Sequence, residues 1–398
     1  MMSNIYDPRW ILRELVIVLS VMIALQWVQA THANSPASSM MDEQVTHIHT
    51  DDVEQYWSTL LKQYGGYFPE NNSPTYKDLL QGIASFQISQ VCMALLRYFF
   101  HEVWANSKLL ATLVLLTLCS MLLETIQHSF EKNTVSKLGN TMTYMVLMII
   151  ALNSFRLALD VAQSAISKMI SFMMALIPML LSLMASMGHV TTVAIIHPLM
   201  IFMIHSGGAL ISFVVFPLLL FSTVLHVVTT MSVTYKLTAL ANFLRNMGLL
   251  ILAAFATIFL GVISVQSATG AIQDGVMIRT AKYITGNFIP VVGRLFSDAA
   301  ETVIGASLLV KHAVGLSGVV IIGMLCIFPA CKIIAIALMY YLAAAVIQPL
   351  GDHPITSCLQ TIGKSLIFIF AALAVVGLMF FLAITIMIAL SNVTVMLR

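Results

Sequence analysis

The chain has 398 residues, of which 59% are hydrophobic and 9% charged, with a mean hydropathy of +0.94. A soluble domain is typically about 45–50% apolar and about 25% charged, so a soluble globular protein is excluded and an all-α, polytopic helical membrane protein is expected. A net charge of +2 gives no basis for a nucleic-acid partner, which leaves the lipid bilayer as the partner that composition itself implies.

In chain order, Arg9 and Arg13 precede an apolar run from Leu15 to Leu25 that closes on Val28-Gln29-Ala30. This is the pattern of a secretory signal peptide over residues 1–30, with an uncleaved signal anchor as the alternative. Residues 31–105 are then placed outside the cytoplasm. They hold eight acidic residues against three basic ones, together with aromatics such as Trp57, Tyr64, Tyr67 and Phe68. The lack of cations suits an extracytoplasmic face. Ser73-Pro74 supplies an N-cap and a first-turn proline for a helix through residue 100, with Leu80, Ile83, Ile88, Val91 and Leu95 on one apolar face. That helix suits either a docking surface for a partner or a position on the bilayer surface. His47 and His49 read as loop residues.

Residues 106–398 form the multi-span domain. Apolar runs lie at about 109–123, 141–159, 170–187, 191–206, 209–231, 247–267, 303–328, 333–349 and 365–389, which predicts eight or nine spans. With nine, Lys132, Lys137, Lys236, Arg245, Lys332 and Arg398 fall inside, so the C-terminus is expected in the cytoplasm. Pro178, Pro198, Pro217, Pro329 and Gly207-Gly208 interrupt the spans, because proline removes a backbone donor and bends a helix. A weak internal repeat also shows: Ile177-Pro178 recurs at Ile289-Pro290, and Phe216-Pro217 at Phe328-Pro329. Were it real, it would build a site between two halves.

Of sixteen charged residues after position 140, seven lie between 274 and 311. Within this charged amphipathic segment, 268–311, a helix starting after Asn287 would carry Pro290 in its first turn. Arg294, Asp298 and Glu301 would form one stripe and Ile289, Val292, Phe296 and Val303 another. Such a helix cannot face lipid all round. Arg279, Lys282, Arg294, Asp298 and Glu301 are therefore the candidate polar lining or gate, the alternative being a surface helix on which Arg294 and Asp298 neutralise each other. Arg156 and Asp160 form a similar pair, read as a surface pair at a span end. His197, His205 and His226 sit in apolar runs and read as packing residues.

No catalytic, metal or cofactor motif emerges, and neither an enzyme nor a cofactor is expected. Gly363-Lys364-Ser365 lacks the glycine that a phosphate loop needs, because Cys358 stands in its place. Gly315-Leu316-Ser317-Gly318 matches a short intramembrane-protease pattern, yet glycine and serine are common at helix contacts. The five scattered cysteines read as packing residues.

Two stretches, SATGAIQDGVMIRTAKYITGNFIPVVGRLFSDAAETVIGASLLVKHAVGLSG and YYLAAAVIQPLGDHPITSCLQTIGKSLIFIFAALAVVGLMFFLAITI, resemble the stage III sporulation protein AE family of endospore-forming bacteria. The resemblance extends over nearly the whole chain and is densest from residue 267 onward. It implies a polytopic subunit of a mother-cell envelope complex that joins a forespore membrane protein across the intermembrane space to form a channel or feeding tube. Other stage III sporulation A-type membrane and ring proteins and a cytoplasmic ATPase are the implied partners, and the mother-cell membrane around the forespore the implied location. Two alternatives stay open: a stand-alone ion-coupled secondary transporter and a purely scaffolding subunit.

Overall fold

The structure is a computed structural model that describes residues 51–67, 76, 88–129, 134–231, 237–288, 292–350 and 354–396. The expected signal peptide, His47, His49 and most of residues 68–87 lie outside the described residues. Those described form nine α-helices: α1 (Asp51–Tyr64), α2 (Ile88–Ala105), α3 (Ser107–Ser129), α4 (Thr134–Ser186), α5 (Val190–Leu210), α6 (Phe216–Met231), α7 (Thr238–Phe288), α8 (Val292–Ile347) and α9 (Pro354–Met396). A π-helical turn, Ile211–Val215, joins α5 to α6 without a loop.

Among the described residues, five stretches are long and apolar enough to cross a membrane: Met145–Ser186, Val190–Thr230, Thr238–Thr280, Thr302–Ile347 and Pro354–Ala389. The bent pair α2–α3, kinked by 40° at Asn106, makes a sixth if counted as one span. The eight or nine spans expected are thus not found among the described residues. The runs 141–159 and 170–187 belong to one helix, α4, the runs 191–206 and 209–231 to one continuous α5–α6 rod, and the runs 303–328 and 333–349 to α8.

The expected breakpoints have other jobs. Pro178, Pro198 and Pro329 lie inside continuous helices. Gly207 and Gly208 are points of close helix contact: a Cβ on Gly207 would meet the Phe255 ring at 2.7 Å, and one on Gly208 would meet Ile170 Cδ1 at 2.6 Å. The repeat is not supported either. In the first segment the chain turns at Met187–His189, where Gly188 takes φ 91°, whereas the matching residues, 299–301, continue as helix in α8.

The long helices alternate in direction, and side-chain pairings fix their register. Ser186 Oγ donates to Ser307 Oγ at 3.2 Å, and Leu176 covers Gly318, setting α4 antiparallel to α8. Gly315 meets Ile388, Gly377 meets Cys326, and Gly363 meets Tyr341, which aligns α8 with α9. Phe259 packs on Phe380, and the Arg245 guanidinium lies 4.5 Å over the Phe368 ring, which makes α7 parallel to α9. By this register the end of α4, the start of α5, Asp274, Ser307 and the end of α9 lie at one level.

Beyond that level, among the described residues, two arms continue. α7 runs fourteen residues past Asp274 to Phe288, and α8 starts fifteen residues before Ser307. At 1.5 Å per residue each arm projects by about 21 Å. From Ser307 to Ile347 the common bundle is about 60 Å long, twice the roughly 30 Å of a bilayer's hydrocarbon core.

α1 fills the groove between α4 and α8. Tyr56 meets Phe172 edge-on at 5.5 Å, and Tyr64 stacks on Phe328 at 4.1 Å. Val53, Trp57 and Leu60 are buried against the same helices. α2 lies beside α1: Tyr98 packs on both Tyr64 and Phe328, and Lys332 of α8 approaches Glu102 at 3.6 Å. Trp57, Tyr64, Tyr76 and Tyr98 of the segment 31–105 thus form part of one core with the bundle, whereas Phe100 and Trp104 are exposed.

Candidate functional site

The seven clustered charges divide between the bundle end and the arms. Asp274 and Lys311 are fully buried at the end of the bundle. The backbone places Arg279 and Lys282 on the α7 arm and Arg294, Asp298 and Glu301 on the α8 arm. Arg279 is exposed. The side chains of Lys282, Arg294, Asp298 and Glu301, and with them the expected stripe and the Arg294–Asp298 pair, lie outside the described residues. The helix expected after Asn287 is described from Val292.

Asp274 is a helix cap supplied by a neighbouring helix. The first N–H groups of any α-helix lack intrahelical acceptors, and here Thr191 N and Thr192 N donate to the Asp274 carboxylate at 3.1 and 3.2 Å. The Thr192 hydroxyl donates to the same carboxylate, and His189 Nδ1 stands 3.5 Å from it. The negative group at the positive end of α5 is the favourable arrangement. Gly270, one turn earlier on α7, lets Thr192 come close: a Cβ there would lie 3.1 Å from Thr192 Cα and 2.4 Å from its hydroxyl. We expect Gly270→Val to lower stability by about 1–3 kcal/mol through this overpacking. Gly261→Val, whose Cβ meets nothing within 4 Å, should stay within about 0.5 kcal/mol of the parent. Thermal unfolding in detergent measures both.

Lys311 Nζ is buried and makes no hydrogen bond among the described residues, one turn from the Ser186–Ser307 contact. An ionisable group within a membrane-spanning helix is costly and by default a functional candidate. Sequence reasoning counted Asp274 and Lys311 in the charge cluster but left both out of the candidate lining.

A second polar surface lies midway along α4. Arg156, Asp160, Gln163, Ser164, Ser167, Lys168 and Ser171 are exposed and recur at helical spacing on one face. The exposed face of α1 continues it with Gln55, Ser58, Thr59, Lys62 and Gln63, and Lys168 Nζ donates to Gln63 Oε1 at 3.4 Å. Beside this face opens a groove of about 420 Å³ lined by Gln163, His205 and Ser212, with Ile170, Gly208 and Phe213 among its walls. The π-helical turn forms one edge of that groove; such turns often mark functional positions. His205 is exposed and bonds Ile201 O at 3.1 Å, so it lines the groove and is not the packing residue expected.

Ser317 is buried, donates to Val314 O at 2.8 Å and lies 3.3 Å from Tyr76 Oη, which makes it a packing hydroxyl. Among the described residues no group of three His, Cys, Asp or Glu side chains is placed to hold a metal ion.

No solved structure matches the chain. It is 47% identical over 367 residues to the stage III sporulation protein AE of Bacillus subtilis (strain 168), an alignment that covers 92% of each chain. The family model for stage III sporulation protein AE matches residues 71–391, all five long membrane-crossing stretches included, and the chain belongs to that family.

Proposed function

We propose that this protein is a non-enzymatic membrane subunit of the complex through which a mother cell supplies its engulfed forespore, and that its helical bundle is the membrane conduit. The family match over residues 71–391 carries the sporulation role, and the five long apolar helices carry the membrane role. Other stage III sporulation A-type proteins would form the surrounding ring, a cytoplasmic ATPase would drive transport, and a forespore membrane protein would complete the passage.

The charges support one position for the bilayer along the 60 Å bundle. Arg156 and Asp160 on α4, Arg245 on α7 and Lys364 on α9 fall, by the register above, within about 8 Å of one level. From this band to Asp274 and Ser307 is about 40 Å, the thickness of a bilayer with its headgroups. The band is mostly cationic, so we place it at the cytoplasmic face. The Met396 end of α9 then lies outside, which replaces the cytoplasmic C-terminus inferred from nine spans, and α1 and Glu102 of α2 lie at bilayer depth, which replaces the extracytoplasmic position expected for residues 31–105. The two arms, whose backbone carries Arg279, Lys282, Arg294, Asp298 and Glu301, also reach outward, toward the ring proteins.

The buried Asp274 and His189 favour a second reading, an ion-coupled carrier that acts alone. Affinity purification of the tagged, full-length protein from sporulating cells separates the two. A complex subunit comes out with the ring proteins and the ATPase. Isolation without partners, combined with solute uptake by liposomes containing only this protein, would establish the carrier instead.

A further inference from the structure

We infer that the outer face of α1 and the middle of α4 form the wall of an aqueous path at membrane depth, lined by Gln163, Ser164, Ser167 and Lys168 of α4 and by Thr59 and Lys62 of α1. This rests on the conduit reading above and moves the path away from the arms.

The face lies within the 40 Å assigned to the bilayer. Lys168 sits eight residues before Leu176, which covers Gly318, and so falls between the cytoplasmic band and the Ser307 level. Elsewhere around the bundle at these depths large apolar side chains of a lipid surface are exposed: Phe202, Phe213, Leu250 and Ile258 are 67%, 80%, 65% and 57% exposed. On α4 the exposed residues from Gln163 to Ser171 change to glutamine, serine and lysine, over about two and a half turns. The second helix at this depth, α1, buries Val53, Trp57 and Leu60 and turns its polar side outward. Two adjacent polar helix faces inside a bilayer cannot be left against hydrocarbon, since charged side chains there face a bundle interior or water. The groove lined by Gln163, His205 and Ser212 opens beside them and gives water several polar partners. With Lys62 and Lys168 on the wall, the path favours anionic solutes.

The test uses the full-length protein in sporulating cells, with Cys92, Cys119, Cys326, Cys331 and Cys358 replaced and sporulation confirmed. Single variants S164C, S167C and T59C are compared with the lipid-facing controls F202C and I258C, using impermeant anionic and cationic methanethiosulfonates. Thiolates react and lipid-buried thiols stay protonated, so S164C and S167C should be modified at least about ten-fold faster than the controls. The anionic reagent should be favoured at S164C over its ratio on free cysteine by about two-fold per nearby lysine, and K168E should remove that preference. Reaction of S164C, S167C and T59C no faster than F202C overturns the inference, and so does a disulfide between two copies at S164C without reagent access, which would mean a dry contact between subunits. Co-purification of the ring proteins is scored in the same cells. Unreactive cysteines in an intact complex sink the path alone, whereas lost co-purification sinks the subunit role whatever the cysteines do.

Discussion

Replacing Asp274 by alanine is expected to remove most of the protein from the membrane. The side chain is 0% exposed, and its carboxylate takes the N–H groups of Thr191 and Thr192 and the Thr192 hydroxyl. Each buried donor left without an acceptor costs about 1–3 kcal/mol, so losing three removes a large share of a typical 5–15 kcal/mol stability. D274N keeps one acceptor oxygen, which can take both Thr192 groups, but turns its NH₂ group toward the Thr191 N–H, so it should fall between parent and D274A. Thermal unfolding in detergent together with the amount of membrane-inserted protein measures the series. A D274A protein as stable as the parent would show that α5 is held by its packing and not by this cap. The series also bears on the carrier reading: if D274N accumulates normally and supports spores, no proton or ion needs that carboxylate.

The helical, membrane-spanning character was legible because it rests on composition, and tertiary context does not reverse a chain that is 59% hydrophobic. Span number was not legible, for a physical reason visible at residues 160–169. DVAQSAISKM looks like a polar connection between two apolar runs, yet its polar groups all lie on one face of an unbroken helix while Ala162, Ala165, Ile166 and Met169 are buried. Periodicity of 3.6 across that stretch was the available signal. Counting only apolar runs discarded it, and with it the α4 face. Gly207 and Gly208 misled in a related way, because a glycine that admits Phe255 and a glycine that breaks a helix are identical in sequence.

The candidate site was partly legible. Clustering drew attention to residues 274–311, and two members of that cluster, Asp274 and Lys311, are buried at the end of the bundle. What sequence could not supply was the partner of Asp274. Thr191 and Thr192 lie 83 and 82 residues away, and nothing local marks a carboxylate in the middle of a helix as the cap of another.

Trp57→Ala is expected to release α1 from the bundle while leaving the bundle intact. Trp57 is 2% exposed and lies among Val53, Leu60 and Tyr64 in the α4–α8 groove; truncating a buried tryptophan costs about 3–5 kcal/mol, a shift of more than about 100-fold between docked and undocked α1. α4 and α8 also touch directly, through Leu176 over Gly318 and Ser186 against Ser307, so their pairing does not depend on α1. Two cross-links in a cysteine-free background separate these effects. A short bifunctional maleimide should join Q63C to K168C in the parent, where Lys168 Nζ reaches Gln63 Oε1, and should fail in W57A. A disulfide between S186C and S307C, whose hydroxyls are 3.2 Å apart, should form in both. W57F should restore most of the first cross-link by refilling the space. Retention of the Q63C–K168C product in W57A would mean that the Tyr56–Phe172 and Tyr64–Phe328 contacts hold α1 alone, whereas loss of both products would make α1 a structural requirement of the bundle. The expected pattern instead makes α1 a separately docked helix, one that can leave the α4 face without unfolding the membrane domain.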